Sequence, residues 1–271
     1  MAELVGLTTA STELEELEHL KVATDAAVDG QGSIICQNAI RLRMVDGDAT
    51  LAAPLDLTLR MTEAAIEPLF SGAAWAGTVL WRAAARLIET ALLAPATRIP
   101  LEGRTVVELG CGLGAPGFVA ARLGASKAVL TDQASLVALL ETNTARNFAG
   151  EAPSVAVGEF FWSTAGATKL RDDHCGGSHF DVILCCDCVY EPLYGDCWIQ
   201  LLEAIDVLAG PDSDVLISLE RRSETHNHWS DGVDPFLEGM AKNGFRDTRM
   251  DSVEPVEIHH FRRGPPPSCA P

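Results

Sequence analysis

The chain has 271 residues, 47% of them hydrophobic, and a formal charge of −18 from 20 Lys and Arg against 38 Asp and Glu. That size and apolar content suit one large domain or two small ones with a full core. No run of about 18 uncharged apolar residues occurs, so no membrane partner is expected, and the acid excess disfavours nucleic acid and favours a cationic partner.

Residues 1–32 read as an acidic, partly disordered extension. Glu13, Glu15, Glu16 and Glu18 would suit a short helix, but its apolar stripe is thin. This opening lacks the basic and apolar halves of a secretory leader and the arginines of a transit peptide. The cytoplasm is therefore expected, with the nucleus as a second compartment. From 33 to 59 the residues alternate, and turn signals gather at Asp46-Gly47-Asp48, which predicts a strand pair. Residues 82–93 carry helical apolar spacing, closed by Pro95 and Pro100.

Strands and helices then alternate. The patterns predict strands over 104–109, 128–131, 155–161, 180–186 and 215–219, and helices over 116–123, 136–147, 198–208 and 234–242. Gly210-Pro211 is expected to end the third of those helices, and 245–253 with 256–261 to form a closing strand pair. Near-continuous apolar strands separated by helices predict an α/β sheet covered on both faces. The tail, 264–271, is expected to be disordered.

Eight cysteines are present, and Cys185, Cys186 and Cys188 crowd one strand. Successive strand residues face opposite sides, so these three do not converge on one ion. No paired CxxC spacing occurs, and no metal site is expected. Small buried thiols in a reducing compartment fit better.

The stretch VVELGCGLG ends the 104–109 strand with Gly110, Gly112 and Gly114 at alternate positions, preceded by Glu108. A bare backbone there permits a tight turn and close ligand approach, and the following helix offers free N–H groups. In open α/β sheets ligands sit beyond the carboxyl ends of the strands. The next strand ends in Thr131-Asp132, where a carboxylate can accept hydrogen bonds from both ribose hydroxyls of an adenosine. A nicotinamide fingerprint would read GxGxxG instead of GxGxG.

Glu108–Gly114 with Asp132 resembles the pattern of class I, seven-strand methyltransferases, which bind S-adenosyl-L-methionine. Further stretches resemble the methyltransferase-like protein-lysine methyltransferases within that class. These are Gly77-Thr78-Val79-Leu80-Trp81 ahead of the core, Ala115-Pro116-Gly117 after the glycines, Phe161-Trp162-Ser163 with Ser in place of Gly, and Asp187-Cys188-Val189-Tyr190.

The resemblance implies a Rossmann-like seven-stranded sheet with helices on both faces, a closing antiparallel pair and an N-terminal strand extension. It implies a single methyltransferase domain over 33–263, with N-terminal strands in 33–75 and the cofactor-binding core in 76–263. Gly110, Cys111 and Gly112 would lie against the methionine part of the cofactor, in the loop that Glu108 opens and Gly114 closes. Asp132 would hold the ribose and Trp162 border the adenine. Trp81 would close the pocket, and Cys186 would line it. Asp187 would orient the target amine, and Tyr190 would offer it a ring face and a hydroxyl. The segment Glu220-Arg221-Arg222 faces the same rim, where substrate contact and salt bridging are both open.

The implied activity is methylation of a lysine in a basic protein by a monomeric enzyme. A small-molecule N- or O-methyltransferase, a non-catalytic binding module of the same fold and, last, a dehydrogenase are the alternatives.

Overall fold

A computed structural model of the chain describes residues 17–28, 34–44, 56–60, 73–148, 155–222, 231–253 and 255–264. The tail beyond 264 and the turn signals at 46–48 lie outside these residues.

The organising element is a seven-stranded sheet. Its strands are β4 (Thr105–Leu109), β5 (Lys127–Asp132), β6 (Val155–Glu159), β7 (Phe180–Cys186), β8 (Ala209–Glu220), β9 (Phe245–Val253) and β10 (Val256–Arg263), in the spatial order β6-β5-β4-β7-β8-β10-β9. β4 through β8 pair in parallel, while β10 runs antiparallel to both β8 and β9. The first three strands step outward from β4 in one direction, and β7 returns to its other side. That reversal opens a crevice at the carboxyl ends of β4 and β7. Val106, Val107, Leu109, Val182, Ile183, Leu184 and Cys185 are all buried, as strands sandwiched on both faces require.

The helices are α1 (Arg82–Leu87), α2 (Ala115–Arg122), α3 (Ala134–Asn147), α4 (Thr164–Cys175), the single turn α5 (Glu191–Tyr194), α6 (Trp198–Leu208) and α7 (Val233–Lys242). Two apolar clusters, one on each side of the sheet, are formed against them. The helix expected over 82–93 does not stay α-helical. α1 passes at Ile88 into a π-helix, Ile88–Leu93, which ends with Ala94 N–H donating to Glu89 O at 2.9 Å. Glu89 is buried, and its two carboxylate oxygens accept the His19 N–H at 2.8 and 3.0 Å. The wider turn thus carries the acid that fixes the entry to the first strand.

A separate antiparallel sheet holds β1 (Leu20–Val28), β2 (Ile34–Met44) and β3 (Asp56–Arg60) in that order. The expected pair is β2 with β3. β1 corrects the reading of 1–32 as an extension, since strand structure begins at Leu20. Leu20, Val22, Thr24, Ala26 and Val28 do alternate, but the acids before them mask the pattern. Register shifts beside Ala26 also break its period. Leu20, Ile40, Leu42 and Leu59 join the core cluster on the α2 and α3 side.

Two other differences have local causes. β8 begins at Ala209, so Gly210-Pro211 lies inside a strand. The pairing with β7 shifts there, and Ser213 Oγ both accepts the Gly210 N–H at 2.8 Å and donates to Phe180 O at 2.5 Å. Proline sits at such an irregularity without breaking a ladder bond. α4 has only Ala167 and Leu170 buried, too few for a visible stripe. Its ends carry the signal instead: Ser163 Oγ accepts the Gly166 N–H at 3.1 Å, and Gly176 closes the helix at φ +60°. The Ser that departs from the family's Gly is therefore an N-cap. Ser163→Ala is expected to lower stability by about 1 kcal/mol, read from the urea midpoint, and Ser163→Gly by only a few tenths.

At the amino ends of the parallel strands, the buried Asp214 ties three elements together. Its Oδ2 accepts from Arg104 Nη1 at 2.6 Å, and its Oδ1 meets His260 Nε2 and Arg262 Nε, each at 2.6 Å. Burial alone would raise its pKa, but these three partners hold it well below the usual carboxylate range.

Candidate functional site

The bend after β4 is locked from below. Thr131 Oγ1 donates to Glu108 O at 2.7 Å, and Cys111 N–H donates to Thr131 O at 3.0 Å. Gly110, Gly112 and Gly114 all have positive φ, at 60°, 52° and 79°. Side chains would also collide there. A Cβ on Gly110 would lie 2.6 Å from Cys188 Sγ, and one on Gly112 would lie 2.8 Å from Gly77 O. The backbone of the Gly77–Trp81 stretch therefore rests directly on the bend. Trp81 is held there by its Nε1–H, which donates to Ala76 O at 2.7 Å.

Above the bend opens a cavity of about 360 Å³, within the range of roughly 300–1,000 Å³ common for small-molecule sites. Trp81, Glu108, Gly110, Cys111, Gly112, Asp132, Trp162, Cys186 and Asp187 all line it, so nine of the eleven expected site residues meet in one place. Gly114 does not line it. Its missing side chain makes room for Leu130, Phe118 and Leu140, and it serves the start of α2. Tyr190 also stands outside the wall, at the N-cap of α5.

Burial raises the pKa of both Asp132 and Glu108 in the cavity wall. Asp132 Oδ2 accepts the Gly112 N–H and Oδ1 the Gln133 N–H, both at 2.7 Å, which aims the group across the bend. Burial raises its pKa, against the pull of those two N–H groups. Glu108 is 1% exposed, and its Oε2 accepts the Gly117 N–H at 2.7 Å. Burial lifts it to about 8, with the Gly117 bond opposing and the charge of Asp132 adding. Glu108 is therefore mostly protonated at neutral pH in the ligand-free protein. Because its folded pKa is raised, its contribution is complete below the unfolded value near 4.5 and is lost as pH rises through about 8. Relative to Glu108→Gln, the wild-type protein is expected to lose on the order of a few kcal/mol between pH 5 and 8.5, followed by urea midpoints.

Burial works against thiolate formation at two thiols that line the cavity. Burial is the main force raising Cys111 and Cys186 well above the ordinary range. Cys185 faces the opposite cluster from Cys186, and Cys188 Sγ donates to Leu109 O and Cys186 O, each at 3.4 Å. Among the described residues no group of three or more His, Cys, Asp or Glu could hold a metal ion.

At the other end of the cavity, Asp187 follows β7 in the left-handed region at φ +56°, the only non-glycine residue there among those described. Such a conformation costs about 1–2 kcal/mol and persists where surrounding bonds enforce it. Here Asp187 N–H donates to Ser218 O at 2.8 Å, and Glu220 N–H donates to Asp187 Oδ1 at 3.3 Å. Arg222 grips the carboxylate with both terminal nitrogens, Nη1 to Oδ1 at 3.0 Å and Nη2 to Oδ2. Its guanidinium lies 4.9 Å from the Tyr190 ring centroid and 5.5 Å from that of Trp81. Salt bridging is thus what Arg222 does here.

Motif reasoning missed several lining residues, among them Gln133, Phe161, Tyr194 and Gln200. Phe161 is 67% exposed. Burial raises the Tyr194 hydroxyl well above its ordinary value. Cys188 and Gly77 fall inside stretches already singled out, whereas Tyr194 and Gln200 carry no pattern of their own.

The cradle suits S-adenosyl-L-methionine. Bare backbone at Gly110 and Gly112 faces the cavity, Asp132 stands beside it with acceptor capacity left over, and Trp162 supplies a flat wall next to Gly110.

Comparison with known proteins agrees. A family model described as lysine methyltransferase matches residues 70–235. The protein N-terminal and lysine N-methyltransferase EFM7 of Eremothecium gossypii is 30% identical over 210 residues, which span 74% of this chain and 75% of that protein. The protein N-lysine methyltransferase METTL21A of Danio rerio is 33% identical over 128 residues, 47% of this chain and 54% of that protein. The secreted RxLR effector protein 48 of Plasmopara viticola is 37% identical over 163 residues, 55% of this chain and 79% of that protein.

Proposed function

Because the chain belongs to the lysine methyltransferase family, we propose that its cavity delivers a methyl group to the side-chain amine of a lysine in a basic protein. The chain is an S-adenosyl-L-methionine-dependent protein methyltransferase. That cofactor supplies a methyl group already activated on a sulfonium, so the protein's task is alignment and exclusion of water.

The observation that carries the reading is the placement of Asp187 on the wall of the cavity that the glycine bend floors. Gly110, Cys111 and Gly112 present backbone to the cofactor, Asp132 accepts from its ribose hydroxyls, and Trp162 borders its base. Trp81 roofs the same space. A lysine ammonium has no lone pair, so the amine must release a proton to water before it can react. Asp187 accepts a hydrogen bond from the amine and directs its lone pair inward. Trp81 and Tyr190 flank it with ring faces that suit a cation on arrival. Desolvation in this pocket lowers the amine pKa. The charge of −18 steers a basic protein toward the site and repels nucleic acid.

The test is incubation with methyl-labelled cofactor and a cell extract, followed by hydrolysis and mass spectrometry. Label on lysine side chains of protein is expected. Label confined to low-molecular-weight material would favour the small-molecule alternative. Cofactor binding with no transfer to anything would favour a binding module.

A further inference from the structure

Two neighbouring arginines leave β8 in different directions. Arg221 turns outward, with Nη1 2.7 Å from Asp234 Oδ1 and Nη2 3.2 Å from Glu257 Oε2. Arg222 turns inward to Asp187, a buried acid of the cavity wall. The Asp187 side chain is 4% exposed and that of Arg222 17%.

A carboxylate offers about four lone-pair positions. The Arg222 fork takes one on each oxygen of Asp187, and the Glu220 N–H takes another on Oδ1. Glu220 Oε2 adds a second acid 3.5 Å from Arg222 Nη2. With the two aromatic faces of Trp81 and Tyr190 alongside, carboxylates and rings together form a cage for a cation. The cation in it is the chain's own.

We propose that Arg222 is a tethered occupant of the target-amine site, a latch that an alkylammonium side chain must displace from Asp187, Trp81 and Tyr190 before methyl transfer. This rests on the reading that Asp187 receives the amine, and it adds a barrier that the substrate itself must open. A single free amine cannot match a two-pronged guanidinium bond. A substrate that presents the lysine within a longer docked segment can, because contacts elsewhere offset the exchange. The latch therefore selects lysines in a bound protein over free amines.

The test uses the full chain and n-butylammonium as the lysine-side-chain probe. Arg222→Met keeps the stem against the rings and removes the fork. It is expected to bind n-butylammonium at least tenfold more tightly than the wild-type protein by calorimetry, and the ion should raise its melting temperature while leaving the wild type unmoved. Adding Asp187→Asn to that variant should abolish the gain. Equal binding by wild type and Arg222→Met, or a gain that survives Asp187→Asn, would overturn the latch. If Arg222→Met does not fold, Arg222→Lys decides, since one prong in place of two should give a gain of about threefold.

Methyl transfer separates the two claims. A lower KM for a lysine-containing protein in Arg222→Met, with kcat maintained, supports the latch. A fall in kcat with no gain in KM would make Arg222 a positioning residue for Asp187 and overturn it. Tight n-butylammonium binding without transfer in either protein would sustain the latch and remove the proposed activity.

Discussion

Asp132→Ala is expected to weaken cofactor binding at least 100-fold in calorimetry while leaving the chain folded. Two effects combine. The carboxylate accepts the Gly112 and Gln133 N–H groups, and losing it leaves both donors without that acceptor and the bend unaimed. Each hydrogen bond to a charged group is worth about 1.5–3 kcal/mol, so two ribose hydroxyls losing their acceptor account for the size of the effect. Asp132→Asn retains one oxygen and should fall between the two, with a loss of about tenfold. Since burial raises the pKa of Asp132, cofactor affinity should also climb as pH rises through its titration. A loss smaller than threefold in Asp132→Ala would detach this acid from the cofactor.

Asp187→Asn is expected to separate binding from turnover. Cofactor affinity should stay within about twofold, because Asp132 and the glycine bend are untouched, while kcat falls at least 100-fold. The amide replaces one acceptor with a donor that faces Arg222, so the two-pronged bond cannot form. Breaking a buried ion pair costs about 3–5 kcal/mol, and a lower melting temperature should accompany the loss. Steady-state transfer to a lysine-containing protein measures the first effect and a thermal melt the second. Unchanged turnover would take Asp187 out of the reaction.

Much of this architecture can be read from the amino-acid order. Continuous apolar strands such as 180–186 and amphipathic helices such as 198–208 declare themselves by period and length, and both bounds agree with β7 and α6. The bend declares itself because glycine takes its left-handed backbone angles without steric cost. What stays hidden depends on distant neighbours. The approach of Gly77 to Gly112 is backbone against backbone and leaves no mark in residue type. The grip of Arg222 on Asp187 joins residues 35 positions apart, and an arginine beside Glu220 reads equally well as a surface bridge. α4 hides for the opposite reason, because its two buried side chains are too few to set a rhythm.

The Asp214 cluster lies at the amino edge of the sheet, where Arg104 precedes β4 and Arg262 sits one residue before the end of β10. The glycine bend and Asp187 occupy the opposite rim. Because the folded pKa of Asp214 is depressed, its contribution is present above the unfolded value near 3.8 and disappears only as acidity deepens past that point. Durability and chemistry thus have separate addresses, and an engineer could reinforce the foundation without retuning what happens under the roof.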